Sequence, residues 1–269
     1  MNHTVKVSSP SLPDYDNQLK RVNDFVNEVA ELPKPNLEEL SSADKHYLDD
    51  FNKYKAEALT WTGFKNDLYN LPSSISSIGN PVDDDLSLII QLEMKLIKAA
   101  DPESIKKEII STATEISTKV ININDAIDKV LKSLNNFFNL YKNNNFGSLS
   151  GAVQQRSYWY RNQIERIDHM KPMEQAKHRV ERNGYVKGQR TTEQWDREVF
   201  CFAGNCVANT KNDAQALIDY WSKEAKLFKN WKTSFDQLNI VAQPDKIDLI
   251  KMDNCQSTWR TKVYVDFSK

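Results

Sequence analysis

Seven of the nine arginines in this 269-residue chain fall between positions 156 and 197, namely Arg156, Arg161, Arg166, Arg179, Arg182, Arg190 and Arg197. Tyr158, Trp159, Tyr160, Tyr185 and Trp195 lie among them. A guanidinium grips phosphate or carboxylate through two parallel N–H donors and also stacks on aromatic rings, so this mixture suits recognition of an anion or of a partner surface. The candidate contact residues are Arg156, Arg161, Arg166, Arg179, Arg182, Arg190, Trp159 and Tyr185. Glu165, Asp168, Glu174 and Glu181 are interleaved with them, and ion pairing along helix surfaces is the competing account. Nucleic acid suits the segment poorly, because it is not strongly basic and contains no nucleic-acid motif.

A second segment, Val199 to Ala208, reads VFCFAGNCVA and carries no charge. It fits either an apolar hairpin turning at Gly204-Asn205 or a buried stretch of helix. As a hairpin it would bring Cys201 opposite Cys206 and present Val199, Phe200, Phe202 and Val207 as candidate membrane contacts. Catalytic signatures are missing: there is no Gly-x-Ser-x-Gly elbow, no phosphate-binding glycine loop, and no cysteine with an evident histidine partner. No catalytic residue is assigned. An enzyme built on His169, His178 or Cys201 is the weakest of three functional readings. Asp83, Asp84 and Asp85 are adjacent and do not converge as metal ligands do; the start of a helix explains them better. His169 and His178 lie nine residues apart across Pro172, which matches no metal geometry. Neither metal nor cofactor is expected. Cys201, Cys206 and Cys255 are an odd set without metal spacing and read as three buried thiols, with one disulfide and one free thiol as the alternative.

The elements that must carry these residues are helices. Seven glycines and nine prolines in 269 residues leave little material for tight turns, which predicts an all-α fold. The clearest element runs from Asp101 to Tyr141. Ile105, Ile109, Thr112, Ile116, Val120, Ile123, Ile127, Val130, Leu134, Phe137 and Tyr141 succeed one another at three- and four-residue steps along one face. A helix of that length, about 60 Å, implies an elongated bundle. An amphipathic helix ends at Pro33. A second, from Asn36 to about Leu71, starts on a capping box of Asn36 and Glu39. A loop is expected over Leu71 to Asp85 and a short helix from Asp83 to Ala100. Further helices are expected over Ser150 to Met170, from Pro172 to Arg182 with breaks at Asn183-Gly184 and Gly188, and over Lys211 to Leu238. At the C-terminus, Lys246 to Met252 pairs with Lys262 to Phe267 in a small β hairpin or mixed cap.

These expectations divide the chain into a flexible tail (1–13), a long-helix bundle (14–170), an irregular head (171–210), and a last bundle helix with its cap (211–269), all in one elongated domain. Charge is mildly split. Residues 1–150 hold 16 basic against 22 acidic side chains, and residues 151–269 hold 20 against 15. No apolar leader or transmembrane stretch is visible, so the expectation is a soluble protein, cytoplasmic or exported without a conventional signal peptide.

The first functional reading is a non-enzymatic interaction or assembly protein that meets a protein partner, a second copy of itself or an anionic membrane surface through the arginine–aromatic region. The alternative rests on a resemblance of outline. An apolar segment placed before the last long helix is similar to the plan of soluble helical pore-forming cytotoxins, whose long helices carry an apolar tongue. That resemblance implies membrane contact by Val199 to Ala208.

Overall fold

The computed structural model describes residues 14–32, 45–143, 146–197 and 201–263. All their regular structure is helical: α1 (Tyr15–Glu31), α2 (Lys45–Leu59), α3 (Lys65–Leu96), α4 (Pro102–Asn143), α5 (Phe146–Asp168), α6 (Pro172–Lys177), α7 (Arg179–Trp195), α8 (Cys201–Asp236) and α9 (Leu249–Thr258). The capping box at Asn36 and the tail before residue 14 lie outside the described residues. No described helix is long and apolar enough to cross a membrane.

The long central helix matches its expected extent. α4 has 42 residues, about 63 Å of axis, and buries Ile109, Thr112, Ile116, Val120, Ile123, Ile127, Val130, Leu134 and Phe137 along the predicted seam. Several other expectations fail. The helix expected from 36 to 71 is broken by a 3₁₀ turn, Thr60–Gly63, whose Trp61 is fully buried. The loop expected over 71–85 is instead the middle of α3, which continues through Pro72 and Pro81. Leu68, Leu71, Ile75, Val82, Leu86 and Ile89 form its buried stripe. A proline at position 72 cannot donate to the Leu68 carbonyl, as a helical residue would. Tyr15 Oη donates to it instead, at 2.9 Å. The aspartates therefore sit inside α3 and not at a helix start: Asp85 pairs with Lys119 at 2.6 Å and Asp83 with Arg260 at 2.6 Å.

The chain separates into two compact units. One comprises Met1–Tyr15, Phe64–Leu134 and Leu217–Lys269. In this unit α8 ends with Asn239 in the left-handed region (φ 53°), a usual C-terminal stop. The returning loop is tied down where Lys106 meets Asp245 at 3.4 Å. The C-terminal hairpin is replaced by α9 and a π-helical turn, Trp259–Val263; residues 264–267 lie outside the described set. Asp248 caps α9 by accepting from the Ile250 and Lys251 amides, both at 3.1 Å. Indole donors then fasten the segment: Trp259 Nε1 to the Gly79 carbonyl and Trp231 Nε1 to the Cys255 carbonyl, both at 2.9 Å. Cys255 is a buried free thiol whose pKa burial pushes up to about 12.

The other unit comprises Asp16–Gly63 and Asn135–Ala216. Its core includes the ring pairs Trp61–Phe137 (5.3 Å) and Phe51–Trp195 (5.7 Å). Arg21 binds Asp213 with both prongs of its guanidinium, at 2.8 and 2.7 Å. Where an irregular head is expected, the described part of 171–210 is helical. The breaks predicted at Asn183-Gly184 and Gly188 do not occur, and α7 runs through both. Gly184 faces open space, where a helix tolerates glycine at a cost of about 1 kcal/mol. Gly188 is required for packing against Tyr160 of α5.

Candidate functional site

The arginine–aromatic segment folds into an antiparallel pair, α5 and α7, joined by the short α6. On α5, Val153, Ser157, Tyr160 and Ile167 recur at three-, four- and seven-residue intervals and are buried. On α7 the buried face is Gly188, Thr191, Thr192 and Trp195. The two helices meet at Gly188. A Cβ there would lie 2.5 Å from Tyr160 Cζ, so the missing side chain is the space the ring occupies.

Most of the guanidinium and aromatic groups are engaged within the hairpin. Arg156 lies 4.0 Å over the Trp159 ring and 4.8 Å over that of Tyr160, and Arg161 lies 5.3 Å over Tyr158. Trp159 meets Tyr185 edge-on at 5.5 Å. Arg161 also approaches Glu193 at 3.6 Å, and Glu193 accepts from Gln189 at 2.9 Å. At the far end Arg182 donates two bonds to Asp168, at 2.6 and 2.9 Å, which clamps α7 onto the end of α5. That pairing holds the Asp168 carboxyl below its ordinary pKa and raises that of Arg182. Tyr185 Oη donates to Glu181 at 2.7 Å, and His178 Nδ1 lies 2.8 Å from the other oxygen. Both bonds lower the pKa of Glu181, the tyrosine contributing most, and Tyr185 is raised in turn.

The structure thus brings together Arg156, Arg161, Arg182, Trp159 and Tyr185 as a ladder of ring and ion-pair contacts, and leaves others outward. Arg190 lines a groove of about 470 Å³ with Glu193, Gln194 and Arg197. Arg166 and Arg179 are exposed. Sequence reasoning missed the tip of the hairpin. There Met173 and Val180 are among the most exposed large apolar side chains of the described chain, at 79% and 85%, beside Lys171 and Lys177. The only signal available was the six-residue stretch Pro172–Lys177, too short for any periodicity.

Of the candidate membrane contacts, Val199 and Phe200 lie outside the described residues. Phe202 and Val207 fall in the first turns of α8, so the backbone from Cys201 is helical and the hairpin reading of that part is corrected. An uncharged stretch extends a helix as readily as it turns. Among the described residues no group of His, Cys, Asp or Glu is arranged to hold a metal ion.

No family model matches this chain, and no curated protein matches it in sequence. Its fold is similar to that of solved structures. One is AhlB in the pre-pore of the tripartite alpha-pore forming toxin AHL from Aeromonas hydrophila, with a TM-score of 0.55 and 9% identity over 93% of this chain and 90% of that one. YaxA from Yersinia enterocolitica follows at 0.51, with 11% identity over 92% and 93%. The SmhB pore of the tripartite toxin Smh from Serratia marcescens gives 0.50, with 10% identity over 91% and 96%. At these identities the likeness establishes a shared helical-bundle fold.

Proposed function

We propose that this chain is a component of a helical pore-forming toxin, acting by assembly and membrane contact and not by catalysis. The observation that carries the reading is the extent of the fold likeness to AhlB, which runs through nine-tenths of both chains. Two further neighbours of the same architecture support it. In this reading the work of the bundle lies in the surfaces it offers. The arginine–aromatic hairpin α5–α7 is the contact surface of this chain, with Arg166, Arg179 and Arg190 its outward-facing cations. The first turns of α8, with Phe202 and Val207, are a second candidate contact. No described helix suits a bilayer span. In this reading the chain assembles with copies of itself on the membrane, and insertion follows a rearrangement of these helices.

Oligomerisation on membranes tests this. The purified protein, incubated with liposomes or mild detergent, is expected to pass from monomer to a closed oligomer seen by negative-stain microscopy and chemical crosslinking. A protein that stays monomeric in both media, and releases no dye from loaded vesicles, would refute the reading.

A further inference from the structure

We propose that the tip of the α5–α7 hairpin is an interfacial docking site for anionic lipid bilayers. The inference rests on the membrane-acting reading above and assigns its point of contact. Four observations converge on the tip. Met173 on α6 and Val180 in the first turn of α7 are 79% and 85% exposed. Lys171, Lys177 and Arg179 lie beside and between them along the chain, and all three are exposed. These three cations are left over after the hairpin's ion pairs form, because Asp168 is taken by Arg182 and Glu181 by His178 and Tyr185. Glu174 is the remaining carboxylate at the tip, so positive charge predominates there.

The tip is also held in place from beneath. Pro172 starts α6 at its first position, where the absent N–H costs nothing. Gln175 Nε2 donates to the carbonyls of Asp168 and Met170, at 2.8 and 2.9 Å, closing the open end of α5. The Arg182–Asp168 fork secures α7 beside it. A rigid crossbar carrying apolar side chains between cations is the arrangement that favours the headgroup boundary: the apolar groups enter the acyl edge while the ammonium and guanidinium groups stay with lipid phosphates. Charge complementarity selects an anionic bilayer as the occupant, since an uncharged protein groove would leave three cations unanswered.

Co-sedimentation with vesicles of phosphatidylcholine containing phosphatidylserine, across a salt series, tests the site. Each cation near an anionic surface changes affinity about fivefold, so the variant Lys171→Gln, Lys177→Gln, Arg179→Gln should bind about a hundredfold more weakly. Met173→Ser with Val180→Ser should lose at least tenfold while keeping its salt dependence. Helicity and melting temperature should match the wild type in both, because these side chains support nothing beneath them. Lys226→Gln, an exposed cation on α8 away from the hairpin, should bind as wild type does. A wild-type chain that ignores anionic vesicles would overturn the inference, as would tip variants that bind undiminished. Binding that survives the tip changes and disappears with Met94→Ser and Ile97→Ser would overturn it too, placing the contact at the α3–α4 turn. Oligomerisation of the tip variants in detergent is read separately. Oligomers without tip-dependent binding would sink this site alone, whereas tip-dependent binding without oligomers would sink the toxin reading.

Discussion

Replacing Gly188 by alanine places two opposed effects on one atom. In an exposed helix the change would stabilise by about 1 kcal/mol, because alanine loses less backbone entropy. Here the new methyl carbon would lie 2.5, 2.7 and 2.9 Å from Tyr160 Cζ, Cε1 and Cε2. The ring has little room to yield: Tyr160 is buried, with Trp159 at 5.2 Å and Tyr185 at 6.3 Å on its flanks and Arg156 over its face. Overpacking of that kind costs about 1–3 kcal/mol, and disturbing the ring contacts adds about 0.5–1.5 kcal/mol. The sum favours a net destabilisation of about 1–3 kcal/mol, or a fall in Tm of a few degrees. Tyr160→Leu removes the three clashing atoms. In that background Gly188→Ala should change sign and stabilise, giving a coupling of about 2–4 kcal/mol in a double-mutant cycle read by denaturant unfolding. A neutral or stabilising Gly188→Ala in the wild-type chain, or a coupling below about 0.5 kcal/mol, would refute the claim that this glycine exists to seat the ring.

Two further tests address the other unit. Glu224 is 1% exposed and its Oε2 meets no donor, and burial raises its pKa from 4.5 to about 7. A carboxyl raised in the folded state contributes most when protonated. Stability should therefore fall as pH rises from about 4.5 through 7, by up to about 3 kcal/mol, and Glu224→Gln should flatten that slope in urea titrations at several pH values. Tyr15→Phe should cost about 1–2 kcal/mol by stranding the Leu68 carbonyl. Adding Pro72→Ala, which restores an N–H in reach of that carbonyl, should recover most of the loss in thermal melts, and a full loss in the double variant would exclude this account.

What the sequence made legible follows from the distance over which each decision is taken. The seam of α4 could be read because every residue in it serves the same face, and burial of Ile116, Val120 and Leu134 needs no knowledge of what lies opposite. Breaks were misread wherever a remote side chain overrules a local preference. Pro72 is tolerated because Tyr15, far upstream, answers the carbonyl it abandons, and Gly188 continues a helix because Tyr160 fills its space. Similarly, the strand expected over Lys246 to Met252 gave way to the start of α9, in the segment that Trp259 fastens to Gly79, 180 positions earlier. The same reasoning governs the candidate site. Composition located the arginine cluster but could not say which guanidinium groups are spent, since that depends on Asp168 and Glu193 being brought into reach by folding. Once those pairs are formed, the groups with something left to bind are the ones the fold does not use. This is why the contact residues of the hairpin tip, Lys171, Met173, Lys177, Arg179 and Val180, sit beside the cluster that composition revealed and overlap with it only at Arg179.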